Sequence, residues 1–217
     1  MEKKRVLILT DSLGCPREDV DVEDTWVDQL LRDNTLDVWF YTYCERGQYA
    51  KRIDVNRIKL LNPDIIICQI GIVDATRRAI HRLSLAIISR IPILSKVCNI
   101  LIRKNHYFLT KIRKIHCTNI RDYTRILESI FSCSNCGNIF ICIAPPGQYM
   151  KEQVFNIDND VNQYNKVITD LNFSNTILLN PYKNQKDYML QDGHHLNKKG
   201  HELIFLSVKN ALAKMVN

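Results

Sequence analysis

Short, almost wholly apolar runs recur along this chain, and they constrain its fold more than any other feature. Val6-Leu7-Ile8-Leu9 is the first, and Ile65 to Ile70 and Asn138 to Ile143 repeat the pattern. Runs of this length without polar alternation read as strands buried on both faces, which is the situation of a parallel sheet covered by helices. The segments between them carry helical spacing. Trp26, Leu30 and Leu31 share one face of a helix expected over Glu18 to Asp33, with acidic residues in its first turns, where the helix dipole favours them. Ile53, Val55, Ile58 and Leu61 mark a second from about Tyr49 to Leu61, stopped by Asn62-Pro63-Asp64. Further helices are expected over Arg121 to Phe131, Asp158 to Leu171 and Gly200 to Met215. The aromatic and β-branched stretches Leu36 to Tyr43 and Thr176 to Leu179 complete five strands. Five alternations of this kind predict an α/β protein: a three-layer α/β/α, flavodoxin-like fold around a five-stranded parallel sheet.

A chain of 217 residues fits one domain, 1–217, and neither a low-complexity linker nor an internal repeat divides it. Its net charge of +7 is unevenly placed. Between Ala75 and Arg121 there is no Asp or Glu, against eleven Lys or Arg, so the rest of the chain is net negative. A local basic segment implies a local anionic partner. Leu83 to Ile102 is apolar, but Arg90, Pro92 and Lys96 interrupt it, which rules out a spanning helix. Two amphipathic helices split near Pro92 are expected instead. Apolar residues mixed with Lys and Arg suit peripheral contact with an anionic membrane, an anionic glycan or a solvated basic face. Nucleic acid is not expected, because Tyr107 and Phe108 are a single aromatic pair and no binding motif accompanies them.

The N-terminus runs into a strand of only four apolar residues, too short for a signal peptide. The expected location is therefore cytoplasmic, or peripheral to the inner face of the membrane. The cysteines are expected to be reduced, with Cys68 and Cys142 buried in strands. Cys133 and Cys136 form a lone CxxC without a second ligand pair, so neither metal nor cofactor is expected.

Two stretches carry chemistry. Thr10-Asp11-Ser12-Leu13-Gly14 follows the first strand, placing Ser12 where open α/β sheets keep their ligands. Asp192-Gly193-His194-His195-Leu196-Asn197-Lys198-Lys199-Gly200 lies near the other end. A serine hydroxyl needs a base to take its proton, and a base needs a group to fix its tautomer. Serine, histidine and aspartate are all present, with Asp192 and His195 three apart in a loop. The loops after strands one, two and three and the last loop reach one sheet edge in this topology. Ser12, Gly47, Asp74 and the Asp192–His195 loop are expected to meet there. By the same reading His201 is a surface residue of the last helix, and Asp74 equally suits a helix N-cap.

These residues resemble the SGNH or GDSL hydrolase family over nearly the whole chain. Thr10-Asp11-Ser12-Leu13 is similar to the family's GDSL block, with Thr10 in place of its glycine. The Asp192 to Gly200 stretch is similar to its closing DGxHxNxxG block, and Asn62-Pro63-Asp64 is also typical. The resemblance implies a Ser12, His195 and Asp192 triad, with the N–H groups of Ser12 and Gly47 as oxyanion donors. It also implies a helical cap at the basic segment, residues 75–121. His194 is left to face the substrate. The family's third donor is the asparagine of a GxND block, and here Gly71-Ile72-Val73-Asp74 puts a valine there. Arg78 or Gln69 could substitute. The Gly-Ile-Val-Asp run followed by Arg78 resembles a subgroup associated with bacterial surface-polysaccharide gene clusters, which would make Asp74 and Arg78 site residues. The activity implied is a serine esterase acting on acyl, chiefly acetyl, esters of a carbohydrate. The alternatives are an O-acyltransferase on a surface glycan or its precursor through the same serine, and a non-catalytic glycan- or membrane-binding module.

Overall fold

A computed structural model describes the chain apart from residues 1, 2, 18, 37, 45, 46, 89, 134–136, 172–174 and 217, and apart from the side chains of residues 82, 83, 85, 92 and 94. Five strands form one sheet: β1 (Lys4–Thr10), β2 (Val38–Cys44), β3 (Ile65–Gln69), β4 (Gly137–Ile141) and β5 (Thr176–Leu179). Every pairing is parallel, and the order is β2-β1-β3-β4-β5. This is the expected three-layer architecture. The chain reverses its direction of winding between β1 and β3, so a crevice opens at their carboxyl ends.

The apolar runs become the central strands because both of their faces are covered. All of β3 and β4 is buried, as is β1 from Val6 onward. The edge strand β2 alternates between half-buried and exposed instead. Helices α1 (Trp26–Leu31) and α10 (Lys198–Val216) pack together on one face. The other carries α2 (Val55–Leu61), α7 (Ile120–Phe131) and α9 (Ile157–Asp170). Tyr123, Leu127 and Ile130 on α7, with Val161, Tyr164 and Ile168 on α9, are the apolar stripes that the 3.6-residue spacing requires. At the end of α2, Asn62 adopts a left-handed conformation (φ 45°), and Asp64 accepts hydrogen bonds from Arg5 N at 2.8 Å and Nε at 3.3 Å.

Several expected helices are shorter. The helix expected from Glu18 begins at Trp26, because Arg17 and Val20 pair backbone to backbone and Thr25 caps the start through the Asp28 N–H. The acidic residues Glu23 and Asp24 lie in a separate 3-10 turn, Val22–Asp24. The Tyr49–Leu61 helix divides into a 3-10 turn, Ala50–Arg52, and α2, which Asp54 caps.

After β3 the chain makes a single turn, α3 (Ile72–Ala75), and then an excursion of three helices: α4 (Arg82–Ile88), α5 (Pro92–Lys104) and α6 (His106–Arg113). Pro92 occupies the first turn of α5, so the split near it is as expected. Arg78 and Ile115 pair as a β-bridge and close the neck of the excursion. The far side rests on α8 (Gln148–Gln153) and the residues after it. His106 Nδ1 lies 2.8 Å from the Gln153 carbonyl, and the Thr110 hydroxyl accepts from the Phe155 N–H at 3.1 Å. Among the described residues, no helix is long and apolar enough to cross a membrane. Cys136 lies outside the described residues, and among those described no three metal-ligating groups cluster. Cys68 and Cys142 are buried free thiols, and burial raises both pKa values, that of Cys142 to about 11.

Candidate active site

The polypeptide leaves β1 through Asp11 into a 3-10 turn, Ser12–Gly14. Asp11 caps that turn by accepting the Leu13 N–H at 2.9 Å, which holds Ser12 at the carboxyl end of the sheet. Gly14 is required by a close approach: a Cβ there would stand 2.4 Å from the Thr10 side chain. Ser12 itself is nearly buried.

The Asp192 loop is built to fix one imidazole. One oxygen of Asp192 accepts the N–H groups of His194 and His195, each at 2.9 Å, in a tight side-chain-to-backbone turn. The other lies 2.5 Å from His195 Nδ1. Burial works to raise the Asp192 pKa, but these hydrogen bonds outweigh it and hold the carboxyl down at about 2. An ionised Asp192 on Nδ1 leaves Nε2 as the free base. Gly193 (φ +62°) lets this loop close against the turn after β4, where the Gly147 N–H donates to the Gly193 carbonyl at 2.7 Å.

Four loops meet at this edge. Arg17, five residues past Ser12, places Nη2 2.5 Å from His195 Nε2. This contact places a guanidinium on the nitrogen that faces away from Asp192. The Cys15 and Cys44 sulfurs, 3.1 Å apart, join the Ser12 turn to the end of β2. The next loop is joined to α3 by Asp74, whose two carboxylate oxygens accept the Ala50 N–H at 3.2 and 3.1 Å. Asp74 is inside its turn rather than at its N-cap, which is Gly71, and it is fully buried. Burial pushes its pKa up to about 7 against the pull of the Thr118 hydroxyl, the Ala50 N–H and the Arg78 charge. Burial likewise raises Asp11 to about 7, with the Asp74 charge adding to it and the Leu13 N–H opposing.

Gly47 adopts φ +70° in the loop after β2, with open space where a Cβ would stand. Its neighbour Gln48 is fully buried, and among the described residues neither amide atom has a partner. Val73 is buried in the apolar core, so no side-chain donor stands at that position. Gln69 does not replace it. Its amide oxygen accepts from Trp26 Nε1 at 2.9 Å and Thr10 Oγ1 at 3.3 Å, and its Nε2 donates to the Tyr182 hydroxyl at 3.0 Å. Arg78 Nη2 lies 3.5 Å from the Val73 carbonyl, and its charge acts on His194.

His194 packs edge-on against His195, with centroids 4.5 Å apart, and its Nδ1 meets the Met150 sulfur at 3.2 Å. Burial lowers its pKa to about 4, and the charges of His195, Arg78 and Arg17 act in the same direction. His201 corrects the expectation of a surface residue. It is 1% exposed, and its Nδ1 accepts the Trp26 N–H at 3.2 Å, capping α1 from α10. Arg17 and Gln48 were missed from the sequence, where an arginine after a proline and a glutamine after a glycine carry no signal of their own.

No family model matches the sequence, and no curated protein matches it. Solved structures do. A lipase/acylhydrolase from Enterococcus faecalis aligns with a TM-score of 0.66 at 14% identity, over 98% of this chain and 97% of its own. A carbohydrate acetylesterase family member from Sinorhizobium meliloti gives 0.62 at 11%, over 98% and 99%. A lipolytic G-D-S-L family protein from Veillonella parvula gives 0.61 at 13%, over 97% and 98%. With nearly complete coverage in both directions and the same sheet, the chain has the SGNH/GDSL hydrolase fold.

Proposed function

We propose that the chain is a serine esterase of the SGNH/GDSL family, acting on acyl, chiefly acetyl, esters of a carbohydrate. The observation that carries this reading is the Asp192–His195 pair, 2.5 Å apart and fixed by two backbone hydrogen bonds, at the sheet edge that carries Ser12. The carbohydrate part rests on the fold shared with a carbohydrate acetylesterase family member and on the basic cap, residues 75–121, beside the site.

In this reading Ser12 Oγ attacks the ester carbonyl while His195 Nε2 takes its proton. Asp192 stabilises the imidazolium that results. The N–H groups of Ser12 and Gly47 receive the developing oxyanion. His195 then returns the proton to the leaving alcohol, and water releases the acid from Ser12 by the same route. Arg17 withdraws from Nε2 before the first step. Asp74 acts as a positioning residue, tying the Gly47 loop to α3, and His194 and Arg78 line the substrate side. The same acyl-enzyme serves transfer to a second sugar, so the assay includes one.

The test is labelling with a fluorophosphonate probe alongside turnover of a short-chain aryl acetate, with and without sugar acceptor. Labelling that requires Ser12 and falls sharply in His195→Ala supports the triad. A folded wild-type protein that neither labels nor turns over refutes it. Acyl groups recovered on the sugar rather than in water would identify the transferase.

A further inference from the structure

Arg17 and Arg78 approach the two histidines from different loops. Arg17 Nη2 lies on His195 Nε2, and Arg78 stands just beyond α3 with Nη2 on the Val73 carbonyl. The Nε of each is buried, and among the described residues it has no partner. Neither side chain forms an ion pair with a described carboxylate. Arg77 shows the ordinary alternative: it holds Asp160 through Nε at 2.6 Å and Nη2 at 2.8 Å, and both residues are buried. Adjacent arginines thus differ, one ion-paired inside the fold and one with no described carboxylate in ion-pair contact. Buried polar groups without partners call for an explanation. Two guanidinium forks are suited to a carboxylate or phosphate, which they can hold bidentately.

The place of Arg17 says which part of a substrate this would be. Nε2 is the nitrogen that protonates the leaving alcohol, so a group beside Arg17 belongs to the alcohol side. A guanidinium on Nε2 also opposes the imidazolium that the reaction must form. An anion that draws Arg17 away removes both obstacles. We infer that Arg17 and Arg78 form an anion subsite for a carboxylate or phosphate on the alcohol part of the ester, and that its occupation moves Arg17 off His195. The inference rests on the esterase reading.

The experiment compares kcat/KM for an O-acetyl hexose, the matching O-acetyl uronate and the matching O-acetyl hexose phosphate. Wild type should favour one charged ester over the neutral one by about 10- to 100-fold, the range of a hydrogen bond to a charged group. The larger ratio identifies carboxylate or phosphate. Arg17→Gln and Arg78→Gln should each collapse that ratio, and lysine at either position should restore part of it. Equal rates on all three esters, or a ratio that survives both substitutions, overturns the inference and leaves the esterase intact. A second readout does not need turnover: imidazole NMR of Ser12→Ala titrated with the uronate and the hexose phosphate. An Arg17-dependent shift of the His195 signals supports the subsite even if no ester is cleaved, and no shift with either ligand overturns it.

The excursion carries an independent inference. Ile93, Val97, Ile100 and Leu101 recur on one face of α5, and that face is turned to solvent, with Ile93 80% exposed. On α6, Phe108 and Ile112 are exposed as well. Lys96, Arg103 and Lys111 flank these residues, and no acidic residue lies anywhere from 75 to 121. A second copy of the chain would set like charges against each other. The geometry points to an anionic bilayer surface as the occupant, with apolar side chains entering the headgroup boundary and the cations on lipid phosphates. Cosedimentation with phosphatidylglycerol-containing vesicles should bind the protein, and neutral phosphatidylcholine vesicles should not. Added salt should weaken binding, and Ile100→Glu with Phe108→Glu should reduce it at least about tenfold while the circular dichroism spectrum stays unchanged. Equal partitioning to both vesicles, no partitioning at all, or a concentration-dependent dimer without vesicle binding overturns it.

Discussion

Asp192 controls the tautomer of His195, and that role can be separated from simple packing. An asparagine at 192 keeps the size and one acceptor, but its amide side can point at Nδ1 and move the ring proton to Nε2. Asp192→Asn should therefore lower kcat by roughly 10³- to 10⁴-fold with little change in stability. A loss below about tenfold would remove Asp192 from the triad. The spacing from Asp192 to His195 was readable in the sequence because three residues in a short loop bring the carboxylate onto the imidazole. His201 was not readable in the same way. Its place on a helix is evident from spacing, but its burial depends on the start of α1, far away in sequence. Burial lowers its pKa to about 4, with the Asp24 charge opposing. The unfolded chain takes up a proton near pH 6.5 that the folded chain refuses until about pH 4. Stability is thus lost as pH falls through that window, by up to about 3 kcal/mol. Urea unfolding of His201→Gln should show the variant gaining on wild type as pH falls from 6.5 to 4. A constant difference would deny the buried, neutral imidazole.

Among the elements, the strands were more legible than the helices. A strand buried on both faces advertises itself in four or five residues, as β3 does, and the half-buried edge strand β5 has the bounds expected from its β-branched stretch. Helix starts depend on caps. The acidic run before Trp26 imitates a first turn, yet Thr25 supplies the cap and the acids stay in the preceding 3-10 turn. Helix α8 went unrecognised because six residues hold too little periodicity. What joins the elements behind the site is also invisible to local patterns. Gln69 on β3 links Thr10 of β1, Trp26 of α1 and Tyr182 in one buried network. Gln69→Leu strands the Trp26 indole N–H and the Tyr182 hydroxyl, and should cost about 2–5 kcal/mol in urea unfolding. A cost under about 1 kcal/mol would show that the network is dispensable. Asp160→Ala should be of similar severity, about 3–5 kcal/mol, since it leaves the Arg77 charge buried between α3 and α9.

For the molecule as a whole, the sequence indicates layers and parallel strands but not the charges that folding takes out of water. The sequence marks Asp74 as a candidate site residue and places Asp11 in the block around Ser12, but it does not show that either leaves water. Both end fully buried at the β1/β3 crevice, raised to about 7, burial being the main cause in each. Between about pH 4 and 7 the folded chain keeps protons on them that the unfolded chain has released. Stability therefore falls as pH rises through that range, by up to about 4 kcal/mol for one such carboxyl. His194 and His201, both lowered to about 4, act with the opposite sign over nearly the same window. The two pairs offset each other, so wild-type stability should change little between pH 4.5 and 6.5. Substitution uncovers the slope. Asp74→Asn imitates the neutral carboxyl, and should gain on wild type as pH rises from 4 to 7, while His201→Gln gains as it falls. Urea midpoints at pH 4.5, 5.5 and 7 measure both. Parallel curves for Asp74→Asn and wild type would mean that Asp74 enters the fold ionised, and Arg78 would then be its counter-charge rather than a group held in reserve for substrate.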